Sequence, residues 1–469
     1  MTLGGLVMAK YIFHPNDIKE LKKQYDVAIV GSGATGLISA IQAAELGLKP
    51  VVLEKMDKLG GNSTRASSGM NAAETSVQLQ HHVVDSFQDF YNDTYIGGGK
   101  QNNVDLLKYF TEHAALTVDW LAQHDIKLDD LTITGAMNTK RTHRPSSQAP
   151  IGAYLVTSFL QIIEKMGIEV YNNVDVTKID KSGANISGVE VKDADGNVHS
   201  IKSGAVILAT GGFGANKQLI GQYRDDLTHY RTTNQEGATG DGLKLASNVG
   251  AALVDMDKIQ VHPTVQQDND HAFLIGEAIR GEGAILVNTK GERFVNELDT
   301  RQKVTDAINK QDTKHAYLIL DEEVVNHAQA VKFYDSMGMV IHGDTIIDLA
   351  RKIGADEKKL SDTIAKWNQA VEDGKDDLGR TTGMSRQLIH PDYMAIHIAP
   401  AVHYTMGGIK INHFTQVLDK NNDVINGLFA AGETSGGLHG NNRIGGNSIA
   451  ETVVFGRQSG QQVYKYLTK

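Results

Sequence analysis

Residues 25–54 carry the pattern that most narrows what this chain can fold into. Tyr25–Val30 is a short apolar run, Gly31-Ser-Gly33-Ala34-Thr-Gly36 follows at once, Leu37–Leu46 has helical spacing, and Lys49–Leu53 is a second apolar run closed by Glu54. Strand, glycine turn, helix, strand and terminal acid in this order make the βαβ context in which a GxGxxG pattern acquires meaning. Gly31 permits the tight turn, Gly33 lets the backbone approach a pyrophosphate, and Gly36 lets the helix pack close on the strand. The helix N-terminus then faces the phosphates. Glu54, eighteen residues after Gly36, stands where ribose hydroxyls need an acceptor. A glycine-rich turn without a ligand is the plainer alternative; the agreement of both strands, the helix and the acid favours a dinucleotide site.

The choice of dinucleotide follows from the next segment. Lys55 is followed by a long polar loop, Leu59-Gly-Gly61-Asn62-Ser63-Thr-Arg-Ala-Ser-Ser68-Gly69-Met70-Asn-Ala, where a nicotinamide-binding domain moves into another helix. Such a loop suits a chain folded over a flavin. Val176, the strand Ala205–Thr210 with Ala209 and Thr210 ahead of Gly211 and Gly212, and the loop Gly237–Gly242 with Asp241 offer further backbone donors and a carboxylate. Near the C-terminus, GLFAAGETSGGLHGNNRIGGNSIAET (427–452) sets Gly432, Glu433 and Arg443 among glycines between an apolar strand and a helical pattern. Gly446, Ser448 and Ile449 open that helix, whose N–H groups and dipole suit the pyrimidine end of a reduced flavin. FAD therefore outranks NAD.

Composition closes off other classes. At 469 residues the chain has room for two or three domains. A net charge of −10 argues against nucleic acid and anionic membrane surfaces as partners, and requires that any site for an anion be locally positive. With no cysteine the chain has no disulfide, cysteine-held iron–sulfur cluster or c-type haem attachment of its own, which fits a reducing, cytoplasmic setting. No apolar run approaches the ~20 residues that span a bilayer. Residues 1–15 lack a basic n-region and read as a disordered lead rather than a signal peptide.

These motifs resemble those of the flavoprotein fumarate reductases, the soluble flavocytochrome c type, with relatives in succinate dehydrogenase flavoprotein subunits, urocanate reductase, L-aspartate oxidase and ketosteroid dehydrogenases. The matching stretches, in order from about Tyr25 to near the C-terminus, are GSGATG with Glu54, GGNSTRASSGMNAA, Asp119-Trp-Leu121, His143-Arg-Pro145, ATGGFG, GATGDG, Val261-His262-Pro-Thr264, GEAIRGEG, GERFVNELDTR, Val402-His403-Tyr-Thr-Met-Gly-Gly408 and the run 427–452. The resemblance implies an α/β chain: a Rossmann-like (GR2-type) FAD-binding domain in two parts, 16–257 and 402–469, with an inserted α+β capping domain at 258–401. The segment 310–380 reads as a mostly charged, helical, solvated cap surface without chemistry.

The implied reaction is hydride transfer from reduced FAD to one alkene carbon, with a proton delivered to the other. Carboxylate clamps fall on His262, His403 and Arg443; arginine suits the task because its planar fork grips a carboxylate bidentately. The proton donor falls on Arg301, with Glu277 and Arg280 as the relay that reprotonates it. The resemblance also marks departures. The residue before the relay glutamate is typically a threonine that helps hold a substrate carboxylate, and here it is Gly276; a frequent second histidine is replaced by Tyr404. Both leave the chemistry alone and bear on one end of the substrate. The expectation is a monomeric, non-covalent FAD enzyme that reduces fumarate and takes electrons from a separate donor, reduced flavin or a reductase. Another unsaturated acid (urocanate, methacrylate or cinnamate type) is the alternative substrate, and a non-catalytic flavin electron carrier the alternative class.

Overall fold

The computed structural model describes residues 11–147 and 149–469. The expected lead, 1–15, falls outside these up to residue 10. Residues 11–15 depart from the disorder expected there. Tyr11 and Phe13 pack against the first core, and Tyr11 Oη donates to Glu164 at 3.0 Å.

An eight-stranded sheet runs in the order 416–418, 424–430, 198–208, 24–30, 50–53, 169–171, with the hairpin 175–182/185–192 attached through the 198–208 strand. The central pairs are parallel: Val27 opposite Pro50, Val27 opposite Ala205, and Leu428 opposite Val206. Their near-continuous apolar sequences follow from this, since a parallel sheet covered on both faces buries every side chain. Helix Ala34–Glu45 covers one face, packed against the C-terminal helix Asn447–Leu467. At Gly31 the backbone takes φ +107°, and a Cβ there would overlap the carbonyl of Ala209, so the turn out of the first strand admits only glycine.

A second, antiparallel sheet of six strands contains 273–274, 259–266, 393–405, 316–321 and 285–287 in that order, with 340–343 also paired to 393–405. Apolar side chains gather in two clusters. One is drawn from Tyr25–Val261 and Val402–Val463, the other from Ile275–Ile398. The long strand Tyr393–Thr405 therefore runs from the second core into the first. Its pairing with Ile259–Gln266 brings Gln260 opposite Tyr404 and Val261 opposite Val402. His403 is the extra residue of a β-bulge, and a second register shift lies between His262 and Val265, at Pro263. Bulges re-aim side chains and accommodate proline inside a ladder.

Candidate active site

One cavity of about 960 Å³ runs from the glycine turn of the first strand to the second sheet, at the upper end of the roughly 300–1,000 Å³ of ligand pockets. At one end it is lined by Gly31, Gly33, Glu54, Lys55, Gly61, Asn62, Ser63, Ser68, Val176, Ala209, Thr210, Gly211 and Asp241. Gly33 caps helix Ala34–Glu45 without a side-chain bond, and Ser63 Oγ accepts from Ala34 N–H at 3.0 Å. Glu54 accepts from Ser32 N–H and Oγ on Oε2, at 2.9 and 2.7 Å, and from Met56 N–H on Oε1, at 2.9 Å. A carboxylate oxygen takes two such bonds, so Oε1 keeps capacity for a hydroxyl. Lys55 pairs with Asp241 across the cavity wall.

Midway, Glu433, Ser448 and Ile449 line the cavity. Burial pushes the Glu433 carboxyl up to about 7, although Thr405 donates to it from N–H at 3.0 Å and Oγ1 at 3.2 Å. Gly446, at φ +85°, begins the helix Asn447–Leu467 with no side-chain cap, so its first-turn N–H groups lack intrahelical partners, and Ser448 and Ile449 of that turn line the cavity. Ala34, Gly36, Gly69, Met70, Gly212, Gly432 and Gly446 do not line the cavity; the glycines among them allow close packing behind it. A Cβ on Gly36 would overlap Gly31 O, and one on Gly432 would overlap Thr35 Oγ1. The glycine cradle, the spare acceptor of Glu54 and the open helix terminus fit an extended FAD.

The far end is cationic. Arg301, first residue of the helix Arg301–Asn309, donates from Nε to Glu277 Oε1 at 2.6 Å and from Nη1 to Gln260 Oε1 at 3.0 Å. Its Nη2 has no protein partner among the described residues, and the side chain lines the cavity. Glu277 and Arg280 lie on one short helix, with Oε1 and Nη2 3.6 Å apart. Burial pushes the Glu277 carboxyl up, but Arg301 and Arg280 outweigh it and hold it below the usual carboxylate range. Arg280 lies behind Glu277, off the cavity, and donates to Glu297 O at 2.6 Å; burial brings its guanidinium down to about 10.

Arg443 is buried and, among the described residues, has no carboxylate partner; its guanidinium lies 4.4 Å from the Tyr404 ring centroid, and Nε and Nη2 have no hydrogen-bond partner among the same residues. Burial and the Arg301 charge depress it to about 9. Nearby, His262 accepts from Thr264 N–H on Nδ1 at 3.2 Å, which leaves the proton on Nε2; that atom is buried, unpartnered and 4.0 Å from Glu277 Oε1. His403 is held by Thr233 Oγ1 at 2.7 Å. Burial, then the neighbouring arginines, keep both imidazoles well below their ordinary range, so both are neutral near pH 7. Strict strand alternation sets successive side chains on opposite faces, yet His403 and Tyr404 both line the cavity; the bulge makes this possible.

Unpaired buried N–H groups of this kind are costly unless a ligand meets them. Those of Arg443 and Arg301 line the cavity with His403 and define a receptor for carboxylate beside a redox cofactor, while His262 is fully buried behind the lining residues.

The sequence reading missed five contributors. Gln260 ties Arg301 to the Arg443 loop, donating from Nε2 to Arg443 O at 2.8 Å and Asn442 Oδ1 at 3.0 Å. Its signal was alternation, which puts Gln260 and His262 on one face of the same strand. Thr233 orients His403, and Ser67 lines the cavity. Phe333 and Tyr334 also line it, from the 310–380 segment that the sequence presented as a solvated surface without chemistry. That segment holds strands at 316–321 and 340–343 as well as helices.

Fold and site together define a flavoprotein of the FAD-dependent oxidoreductase class. Residues 26–449 match the family described as "FAD binding domain". The chain is 43% identical over 444 residues to the NADH:fumarate oxidoreductase of Klebsiella pneumoniae, covering 94% of this chain and 48% of that protein. It is 39% identical over 447 residues to a fumarate reductase (cytochrome) of Shewanella frigidimarina, covering 95% and 78%. The structure of an open flavocytochrome c3 fumarate reductase superposes with a TM-score of 0.78 at 37% identity, covering 96% of this chain and 80% of that one. The chain thus belongs to the FAD-binding family that includes the flavocytochrome-type fumarate reductases, and it spans about half the length of the Klebsiella relative. None of its described helices is long and apolar enough to cross a membrane.

Proposed function

We propose that the chain reduces fumarate to succinate with a non-covalently held FAD. The observation that carries this reading is the Arg301 guanidinium: two of its nitrogens are committed to Glu277 and Gln260, and the third opens on the cavity beside Arg443 and His403. Reduced FAD, when bound, supplies the hydride. Arg443 and His403 hold one carboxylate, the guanidinium with its charge and its two free nitrogens, Nε and Nη2, the imidazole as a neutral hydrogen-bonding group. His262 Nε2–H donates toward the other carboxylate. Arg301 delivers a proton to the second alkene carbon; free arginine is a poor acid, with a pKa above ~12, and becomes competent only against developing carbanion charge. Glu277, held ionised by Arg301 and Arg280, takes up a proton from the Arg280 side and passes it to the Arg301 that has given its own away. The relatives' names support the same reaction.

A second reading, reduction of a urocanate-, methacrylate- or cinnamate-type acid, is favoured by Gly276 and by the aromatic Phe333 and Tyr334 at that end of the cavity. A non-catalytic electron carrier has no use for Arg301, Glu277 and Arg280 together. We take 16–257 and 402–469 as the FAD-binding domain and 258–401 as the cap. The protein is read as a cytoplasmic monomer of anaerobic respiration with a separate electron donor, since the chain has no cysteine to hold a metal cluster.

The test is reoxidation of the chemically reduced holoenzyme by a panel of unsaturated acids, followed at the flavin absorbance. Fumarate should reoxidise it fast; reoxidation only by monocarboxylates would reassign the substrate. Turnover should proceed with reduced FMN, and rapid turnover with NADH alone would refute the separate donor.

A further inference from the structure

The threonine that the resemblance leads one to expect before Glu277 is Gly276, yet the space is not empty. A Cβ built on Gly276 meets Ser67 Oγ at 3.1 Å and Ser67 Cβ at 3.6 Å, with Tyr334 Oη at 3.9 Å. Two hydroxyls, one from the loop that follows Glu54 and one from helix Ala330–Ser336, converge where a threonine side chain would stand. Both residues line the cavity. Gly276 N–H donates to Tyr334 Oη at 3.3 Å. The phenol is an acceptor in that bond, so its own proton remains available to a ligand. Burial, the largest influence, raises Tyr334 above the ordinary tyrosine range, which keeps that proton in place at neutral pH. The backbone ties this corner to the clamp: Thr264 Oγ1 donates to Ile275 O at 2.9 Å, two residues along the strand from His262.

We infer that Ser67 and Tyr334 form the subsite for the second carboxylate of a dicarboxylate substrate, taking over with two neighbouring hydroxyls from different segments the task of the absent threonine. The subsite has no cation among these groups, so it discriminates by directed O–H donation. A carboxylate accepts such bonds readily, whereas a methyl or hydrogen in its place offers the Tyr334 proton no acceptor and leaves the two hydroxyls only each other. Because Ser67 lies in the loop that follows Glu54 and Tyr334 belongs to the second core, a dicarboxylate also bridges the two parts of the molecule. The inference rests on the reading of the site as one for unsaturated acids.

The experiment measures dissociation constants of the FAD-loaded protein for succinate and propionate by calorimetry, so that binding is read apart from turnover. The succinate-over-propionate preference should fall about tenfold in Tyr334→Phe and in Ser67→Ala, the scale of one hydrogen bond to a charged group. The double variant Ser67→Ala/Gly276→Thr should recover the preference, since removing Ser67 Oγ clears the only contact below 3.4 Å that the new Cβ makes. A merely structural role for Ser67 predicts no such recovery. An unchanged preference in both single variants, or a wild-type protein with no preference for succinate, overturns the subsite. A wild-type protein that prefers succinate but is not reoxidised by fumarate overturns the proposed reaction and leaves the subsite standing.

Discussion

Gln260→Leu is the perturbation that tests how the two guanidinium groups are held in register. The side chain makes three hydrogen bonds: to Asn442 Oδ1 at 3.0 Å, to Arg443 O at 2.8 Å and from Arg301 Nη1 at 3.0 Å. Two neutral bonds at about 1 kcal/mol and one to a charged donor at about 1.5–3 kcal/mol give roughly 3–5 kcal/mol of local stabilisation. Leucine is close in volume, so its cost is loss of tethering rather than a cavity. Freed from Gln260, Arg301 pivots about its single remaining tie to Glu277, and a displacement near 1 Å costs about a hundredfold in rate, equivalent to about 2.7 kcal/mol. That lies within what the lost bonds supply. In stopped flow, with reduced enzyme mixed with saturating fumarate, the reoxidation rate should fall about a hundredfold while FAD stays bound. Gln260→Glu separates the two tethers. Its carboxylate keeps an acceptor for Arg301, but sets an anionic oxygen against the Arg443 carbonyl in place of the donor now 2.8 Å away. It should therefore raise KM more than it lowers kcat. A leucine variant that reoxidises within about threefold of wild type would falsify the tethering role.

Arg301→Ala should lower turnover by at least about a thousandfold, within the range for loss of a general acid, with the flavin spectrum and melting temperature retained; substantial residual activity would remove Arg301 as proton donor. Glu433 titrates at about 7 in the fold against an ordinary 4.5. A raised pKa gives a contribution that is fully present below 4.5 and lost as pH rises to 7, about 3 kcal/mol at 1.36 kcal/mol per unit. Melting of the FAD-free protein should therefore decline over that window relative to Glu433→Gln, and parallel curves would contradict the assignment. Gly446→Ala forces a Cβ into the side chain of Asn71 at φ +85°. It should lower the melting temperature and the flavin-to-protein absorbance ratio together; a variant that retains FAD at wild-type melting temperature would show that the terminus tolerates a side chain.

The glycine turn and its βαβ frame were legible because their requirements are local. A backbone at φ +107° needs glycine at Gly31, and a buried parallel strand needs an unbroken apolar run. The clamp residues were legible only through resemblance, since His262 and His403 lie far apart in sequence and meet, 5.2 Å between ring centroids, only because two strands pair with a bulge. Tyr334 was read as part of a solvated surface because the segment 310–380 is mostly charged; its burial comes from the second core and from contacts with Gly276 and Ser67, residues of other segments. Gly36 relieves the packing of its helix on the strand, as its place in the motif implies, whereas Gly432, expected at the cofactor, sits off the cavity against Thr35. The motif specifies a missing side chain without saying whether a ligand or the chain's own backbone fills the space.

By itself, then, the sequence determined the dinucleotide cradle, the acid that ends its second strand, and the preference for FAD, because each rests on torsion angles and spacing within a few residues. Only the tertiary structure decided which donors stay unpaired. His262 Nε2, Arg443 Nε and Nη2 and the free edge of Arg301 are unsatisfied because the groups packed around them commit their other atoms and exclude water. Burial of this kind is a property of segments brought together from across the chain, and no local pattern encodes it.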